Sequence, residues 1–174
     1  MGKIISVANQ KGGVGKTTTA INIATAMAAS GWRTLLVDID PQGNASTGLG
    51  IPSRDRDYST YELLMREGTA QQCIQQTRIP KLDCIPATQD LSGAEVELVG
   101  EEDRIDRLKT MLSEVDSSYD VCFFDCPPSL GLLTVNALSA ADSLLVPLQC
   151  EFFALEGLSQ LLQTVERVQQ GINP

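Results

Sequence analysis

Two lysines, two threonines and three glycines lie within eight residues near the start of the chain, in Lys11-Gly12-Gly13-Val14-Gly15-Lys16-Thr17-Thr18. An apolar run precedes this segment and a stretch with helical periodicity follows it. In such a loop, glycines let backbone N–H groups turn toward phosphate oxygens, and the first helical turn adds further unpaired N–H groups. The segment therefore predicts a phosphate-binding loop, in which Lys16 contacts the outer phosphates and the Thr17 hydroxyl binds Mg²⁺.

The loop departs from the usual G-x-x-x-x-G-K-[ST] pattern at its start. Gln10 occupies the position of the first glycine, and Lys11 is an additional cation. A single lysine in a turn is usually a solvated surface residue, but a second cation in this loop is unnecessary for holding one nucleotide. We therefore expect the charge of Lys11 to act elsewhere, for example on a nucleotide bound by a partner subunit.

Three carboxylates follow predicted strands, and ligands of parallel sheets bind at the carboxyl ends of the strands. Asp125 ends an apolar strand, where a carboxylate is costly to bury unless it is paired, and a Mg²⁺ ion shared with Thr17 would pair it. Asp38 and Asp40 lie on the same side of an extended chain, so one could face the metal and the other an attacking water. A turn-forming role remains open for Asp125, and a turn cap before Pro41 remains open for Asp40.

Strand and helix signals alternate along the chain, which predicts an α/β fold with a mostly parallel, twisted sheet and helices on both faces. Strand signals span 3–8, 33–38, 82–86, 119–125 and 143–148, and helical signals follow the loop, begin near 70 and cover 90–99, 103–115, 132–140 and the stretch from 154. Gly31 should end the first helix.

Local helix signals add finer expectations. Ser59 with Glu62, and Ser92 with Glu95, match the capping-box pattern. Asp103 and Arg107 form an i, i+4 pair, which we interpret as part of a solvated face. The glycine-rich stretch 42–50 is a candidate switch around the outermost phosphate, or simply a mobile surface loop.

Composition narrows the classes of function. The net charge of −9 argues against broad nucleic-acid affinity, and the absence of histidine excludes a histidine base or histidine-ligated zinc. Five cysteines without metal-ligand spacing are interpreted as reduced, mostly buried cytosolic thiols. No apolar run reaches the length of a membrane span, and we expect no signal peptide. Gly2 only partly matches a myristoylation pattern, so we expect it to open a buried strand.

Three motifs together resemble a known family. Residues 9–19 resemble the deviant Walker A motif of the ParA/MinD class of P-loop ATPases, and 37–46 and 123–129 resemble its second and third motifs. The match, including 146–157, is most similar to the ParA/Soj chromosome- and plasmid-partitioning proteins. This resemblance implies ATP and Mg²⁺ as cofactors, with residues 11–18 binding the nucleotide. It also implies Thr17 and Asp125 as metal ligands, Asp38 in the outer coordination sphere of the metal, and Asp40 orienting the attacking water.

The resemblance further implies a slow, Mg²⁺-dependent, partner-stimulated ATP hydrolase in the cytoplasm, associated with the nucleoid. ATP binding would form a face-to-face homodimer in which Lys11 neutralises phosphate charge in the partner's site. The dimer would bind DNA non-specifically until a ParB-type centromere-binding protein triggers hydrolysis. Residues 1–174 would form a single P-loop domain that lacks its C-terminal strands and helices, with most of the DNA-binding surface beyond residue 174. A complete protein with a short sheet is the open alternative.

Three other functions are alternatives to DNA partitioning. A MinD-like membrane-cycling ATPase requires a C-terminal amphipathic helix. A nitrogenase-reductase-like electron carrier requires a cysteine pair for a shared cluster, and Cys126 does not lie in the matching motif. An inactive scaffold would not need the complete set of loop, lysines and acids.

Overall fold

The fold alternates strands and helices, in a computed structural model that describes residues 2–115, 117–149 and 154–173, with side chains from 157 onward in the last range. The strands are β1 (Lys3–Val7), β2 (Thr34–Asp38), β3 (Gln75–Gln76), β4 (Leu82–Ile85), β5 (Val121–Asp125) and β6 (Ser143–Leu145). The helices are α1 (Lys16–Ala29), α2 (Asn44–Gly48), α3 (Thr60–Met65), α4 (Ala70–Cys73), α5 (Leu91–Glu97), α6 (Arg107–Leu112), α7 (Leu132–Ala140) and α8 (Ala154–Gly171). Short 3₁₀ turns cover Ser53–Asp55, Leu98–Gly100 and Ser113–Val115.

The six strands form one sheet in the order β3-β4-β2-β5-β1-β6. All neighbouring pairs are parallel except β3 with β4, so the predicted mostly parallel α/β sheet is confirmed. The register pairs Asp125 with Val7 on one side and with Asp38 on the other. The central strands therefore end at one level, and the segments that follow them meet at the same edge of the sheet.

Helices cover both faces of the sheet, as the sequence predicts. On one face, three alanines of α1 pack against Leu36 and Phe123. On the other face, residues of α3, α5, α6 and α7 pack around Leu35 and Phe124. Every residue of β2 and β5 is buried, as expected for strands that are covered on both sides. This double layer fixes the ends of β2 and β5, where the candidate carboxylates lie.

Several local predictions are confirmed. Gly31 follows the end of α1 with a φ of 101°, a conformation that glycine adopts without strain. Ser59 and Glu62 form the predicted capping box at the start of α3. Gly2 lies beside β5, donates its N–H to Tyr119 O at 3.1 Å, and leaves no space for a Cβ next to the backbone of Asp120. The close approach to Asp120 explains why a glycine precedes β1.

Other local predictions are wrong. Ser92 does not cap a helix, because α5 already begins at Leu91. The helix predicted over 103–115 is reduced to α6 and a 3₁₀ turn. Arg107 is not on a solvated face, since it is buried and binds both the carboxylate of Asp103 and the backbone oxygen of Leu64. The predicted pair with Asp103 is therefore present, but the guanidinium also binds Glu101 and Leu64 and is buried rather than solvated.

The remaining differences lie at strand ends and in the segment after β2. β6 ends at Leu145 rather than at residue 148, and the antiparallel strand β3 had no sequence signal. Part of the predicted loop after β2 is the short helix α2. Four of the five cysteines are buried free thiols, and Cys150 lies outside the described residues.

Candidate functional site

The glycine-rich segment links β1 to α1 in the predicted strand–turn–helix order. Gly13 and Gly15 have φ values of 73° and 90°, in the left-handed region that glycine enters without steric cost. Gly15 immediately precedes α1, whose first residues are Lys16, Thr17 and Thr18. Backbone N–H groups in the first turn of a helix have no partner within the helix. The segment therefore presents backbone donors at the carboxyl edge of the sheet.

The Lys16 side chain is buried within this loop. Its Nζ donates a hydrogen bond to the backbone oxygen of Lys11 at 3.0 Å, so the ammonium group is held across the turn. Burial lowers the pKa of Lys16, while the nearby carboxylates of Asp125 and Asp40 act in the opposite direction. A cation between two acids and a ring of N–H groups is suited to an anionic ligand.

A cavity of about 410 Å³ opens beside the loop. Its loop side is formed by six residues, Gly12, Gly13, Gly15, Lys16, Thr17 and Thr18. Its opposite side is formed by four residues that follow β2 and β5, namely Asp40, Gln42, Asn44 and Pro128. The structure thus assembles the phosphate loop and the strand ends around one space, as the parallel topology predicts.

Asp125 lies behind this cavity rather than on its surface. The residue is fully buried, and neither carboxylate oxygen has a hydrogen-bond partner among the described residues. Burial and the adjacent Asp38 carboxylate raise the pKa of Asp125 to about 7. The Thr17 side chain is close enough to lower this pKa in part, although outside full hydrogen-bond geometry. Unpaired carboxylate oxygens beside a threonine hydroxyl are a donor set that fits a magnesium ion.

Asp38 is also buried, but its oxygens are already bound within the protein. Oδ2 accepts hydrogen bonds from the Ser46 hydroxyl at 2.6 Å and the Ser46 N–H at 2.8 Å, and Oδ1 accepts one from the N–H of Asp40 at 3.2 Å. Burial raises the pKa of Asp38 to about 6 despite these bonds. Asp38 does not line the cavity, whereas Asp40 does, so the structure does not place the two carboxylates on the same surface.

Asp40 faces the cavity and shapes the turn that follows β2. Its Oδ1 accepts the N–H of Gln42 at 3.0 Å, and its backbone oxygen accepts the N–H of Gly43 at 2.8 Å. Asp40 therefore forms a turn, as the alternative interpretation expects, and it also lines the cavity. The two interpretations are compatible.

Lys11 and Val14 belong to the loop but do not line the cavity. Val14 is buried, whereas Lys11 is partly exposed. The backbone N–H of Lys11 donates to Asn9 Oδ1 at 3.0 Å. The amide of Asn9 also donates to Pro147 O at 2.8 Å, which joins the loop to the segment after β6.

The sequence motifs assign no role to Asn9 or Ser46, which hold the loop and the segment after β2 in place. The distance in sequence between Ser46 and Asp38 hides their contact, because it arises only when α2 folds back on β2. Within the described part of the chain, no three acidic or cysteine side chains are grouped closely enough to bind a metal. A Mg²⁺ ion at Asp125 would therefore need the hydroxyl of Thr17 and oxygens from a ligand or water.

The sheet order, the glycine loop and the carboxylates at the strand ends define a P-loop NTPase-type domain. The AAA domain family AAA_31 matches residues 2–174. The chain therefore belongs to this family, and specifically to its ParA/Soj group.

Two relatives illustrate the match. The chromosome partitioning protein ParA of Myxococcus xanthus is 55% identical over 174 residues, which cover 100% of this chain and 62% of that protein. The sporulation initiation inhibitor protein Soj of Bacillus subtilis is 55% identical over 173 residues, which cover 99% of this chain and 68% of that protein. The chain thus spans about two thirds of the length of these relatives.

Solved structures agree with the fold. A protein from Mycobacterium smegmatis described as cobyrinic acid a,c-diamide synthase, with bound ADP and magnesium, matches with a TM-score of 0.96 and 43% identity. The match covers 100% of this chain and 71% of that one. The same protein with a bound ATP analog and magnesium also matches with a TM-score of 0.96. Separately, no helix in the described ranges is both long and apolar enough to cross a membrane.

Proposed function

We propose that this chain is the nucleotide-binding part of a Mg²⁺-dependent, slowly hydrolysing ATPase of the DNA-partitioning type. The observation that supports this most strongly is the arrangement of Asp125 and Thr17 beside the phosphate loop. A fully buried carboxylate without a partner is costly, and a metal-bound nucleotide would provide the missing positive charge. The structure of the Mycobacterium smegmatis protein with ADP and magnesium shows that a related fold binds such a ligand.

Each loop residue has a distinct task in this proposal. The N–H groups of residues 12–18 hold the phosphate oxygens, and the ammonium of Lys16 lies against the outer phosphates. The Thr17 hydroxyl and the Asp125 carboxylate hold Mg²⁺, directly or through water. When bound, the metal offsets phosphate charge. Asp38 acts on the metal only through the outer coordination sphere, because both of its oxygens are occupied by Ser46 and the Asp40 N–H.

Asp40 is proposed to orient the attacking water. Its turn is fixed by the bonds to Gln42 and Gly43, so the carboxylate has a defined position in the cavity that Thr17 and Thr18 also line. A fixed carboxylate can hold a water molecule in line with a phosphate without rearranging during the reaction. The stretch 42–50 is proposed to respond to the outermost phosphate, since Gln42 and Asn44 also line the cavity.

Lys11 is proposed to act in a nucleotide-dependent homodimer, on the phosphates of the partner subunit. Its position outside the cavity of its own chain supports this role. The names of the ParA and Soj relatives favour chromosome partitioning, with a ParB-type protein as the stimulating partner, over a MinD-like membrane cycle. The net charge of −9 does not favour DNA contacts by these 174 residues themselves.

A lysine substitution tests the division of labour in the loop. Lys11→Ala should retain ATP affinity within about threefold but lose ATP-dependent dimerisation and at least about tenfold in turnover, because only the trans contact is removed. Affinity is measured by calorimetry, dimerisation by sedimentation and turnover by phosphate release. Lys109→Ala, at an exposed lysine of α6, is the matched control and should behave as the parent. Parental turnover in Lys11→Ala would remove the trans lysine from the account.

A further inference from the structure

Arg56 is a buried arginine in the segment between α2 and α3, and no role has been assigned to it so far. It is only 8% exposed. Among the described residues no carboxylate forms an ion pair with it, in contrast to the other buried arginine, Arg107. A buried guanidinium without an acid is unusual, because charges are normally buried only with a partner.

The guanidinium is instead satisfied by neutral oxygens. Nε and Nη2 donate to the backbone oxygen of Ile51 at 3.1 and 2.7 Å, and Nη1 donates to the backbone oxygen of Ala87 at 2.8 Å. Nη2 also donates to the Thr47 hydroxyl at 2.8 Å. Arg56 therefore joins two segments: α2 with its exit at Ile51, and the exit of β4 at Ala87.

The contact with Thr47 continues to the candidate site. The Thr47 hydroxyl donates to Gly43 O at 3.0 Å, and the Gly43 N–H donates to Asp40 O at 2.8 Å. A Cβ on Gly43 would overlap Arg56 Nη1, so the guanidinium also packs directly against this turn. We call these four residues, Arg56, Thr47, Gly43 and Asp40, the Arg56 network.

A second set of bonds holds α2 from its other side. The Ser46 hydroxyl donates to Asp38 and accepts the N–H of Ala87 at 3.0 Å. Ala87 is thus bound by both Ser46 and Arg56, through its N–H and its oxygen respectively. With both sets in place, α2 and the turn from Asp40 to Gly43 have one position relative to β2 and β4.

We propose that Arg56 is a positioning residue for Asp40: through Thr47 and Gly43 it fixes the turn that places the Asp40 carboxylate at the cavity. This inference rests on the proposed ATP hydrolysis, in which Asp40 orients water. Arg56 itself does not line the cavity. Its loss should therefore slow hydrolysis without weakening nucleotide binding.

Two variants of the intact protein test the network at different points. Arg56→Lys keeps the charge but loses the planar set of donors that reaches several oxygens at once. Thr47→Val removes only the hydroxyl between Arg56 and Gly43, and Thr47→Ser keeps it. Arg54→Lys is the matched control, because the Arg54 side chain is 85% exposed two residues away.

The first readout is amide hydrogen exchange and does not depend on activity. We expect exchange at Gln42 and Gly43 to accelerate by about tenfold in Arg56→Lys and Thr47→Val, since their N–H groups form the Asp40 turn. Exchange in α7 should not change. The second readout is single-turnover ATP hydrolysis with Mg²⁺, where the rate constant should fall by about tenfold or more while ATP affinity stays within about threefold. Thr47→Ser and Arg54→Lys should match the parent in both readouts.

The outcomes separate this proposal from the function beneath it. Parental exchange or a parental rate constant in Arg56→Lys and Thr47→Val would overturn the positioning role, as would a loss of reaction amplitude alone, which indicates only partial unfolding. If Arg56→Lys does not fold, Thr47→Val decides the question. Absence of ATP hydrolysis in the folded parent overturns the proposed function and the role of Arg56 in it, whereas a defect confined to the variants supports both.

Discussion

At the scale of single residues, the site contains two neighbouring buried carboxylates with different surroundings. Asp38 and Asp125 are paired in register on adjacent strands. Asp38 is bound by Ser46, whereas the carboxylate oxygens of Asp125 have no hydrogen-bond partner among the residues that the structure describes. Burial raises the pKa of both groups, to about 6 and about 7. Without a bound cation, the folded state disfavours ionisation of both Asp38 and Asp125. The stability of the protein should therefore depend on pH and on a cationic ligand at this site.

This coupling gives a prediction for Asp125→Asn. A carboxyl group whose pKa is raised on folding contributes stability at low pH and loses it as pH rises through the folded value. Without nucleotide or metal, the parent should lose this contribution between about pH 4 and 7. Asp125→Asn removes the charge. The free energy of unfolding of this variant minus that of the parent should therefore be larger at pH 8 than at pH 4.

The measurement is urea denaturation at both pH values without nucleotide or metal. Asp57→Asn provides the control, because Asp57 is exposed. An equal difference between Asp125→Asn and the parent at pH 4 and pH 8 would show that Asp125 is not destabilised by its surroundings.

The sequence identified most cavity residues at this scale because they lie in one contiguous motif or at strand ends. Lys16, Thr17 and Asp40, which the motifs single out, line the cavity. The burial of Asp38 was not predicted, because its partner Ser46 reaches it only through the packing of α2. Arg56 was missed because hydrogen bonds from a side chain to backbone oxygens leave no periodic pattern in the sequence, and because one acceptor, Ala87 O, lies 31 residues away.

At the scale of elements, α2 is the part of the fold on which the site depends most. It lies between the Asp40 turn and the Arg56 side chain, and it begins after Gly43, which has a φ of 62°. Gly50 beyond α2 also has a positive φ, 85°, but a Cβ there would meet only Arg78 at ordinary contact distances. Alanine substitutions at the two glycines therefore distinguish the cost of the left-handed backbone conformation, common to both, from the cost of steric overlap, present only at Gly43.

Gly43→Ala and Gly50→Ala form a matched pair. Each alanine should cost about 1–2 kcal/mol for the left-handed conformation. Gly43→Ala should cost about 1–3 kcal/mol more, because its Cβ overlaps Arg56 and crowds Ala87 O at 3.0 Å. Thermal or urea unfolding measures both, and equal destabilisation of the two variants would mean that Arg56 yields easily to the added methyl group.

The types of most elements followed from the sequence, whereas their ends did not. Apolar runs at β2 and β5 and the alanine face of α1 are strong periodic signals, and Gly31 and the Ser59 capping box are local ones. The short α2 and the antiparallel β3 have no such pattern. The helix predicted over 103–115 starts four residues later, at Arg107, because the pairing of Arg107 with Asp103 is compatible with a turn as well as with a helix.

At the scale of the whole molecule, the parallel topology brings segments far apart in sequence to one edge of the sheet. β1, β2 and β5 are neighbours, so the loop after β1, the Asp40 turn and the Pro128 segment surround one cavity. The alternation of strands and helices predicted this layout, and the order of the strands was not predicted. The proposed function depends on this cavity holding a triphosphate.

Calorimetric titration of ATP into the protein, with and without Mg²⁺, tests this dependence most directly. Its parallel arm is Lys16→Ala, whose folded state is verified by circular dichroism. We predict saturable binding by the parent that strengthens with Mg²⁺, and at least about a hundredfold loss in Lys16→Ala, because a buried cation facing the phosphates is removed. No Mg²⁺-dependent binding by the folded parent, or equal affinity in Lys16→Ala, would contradict the account.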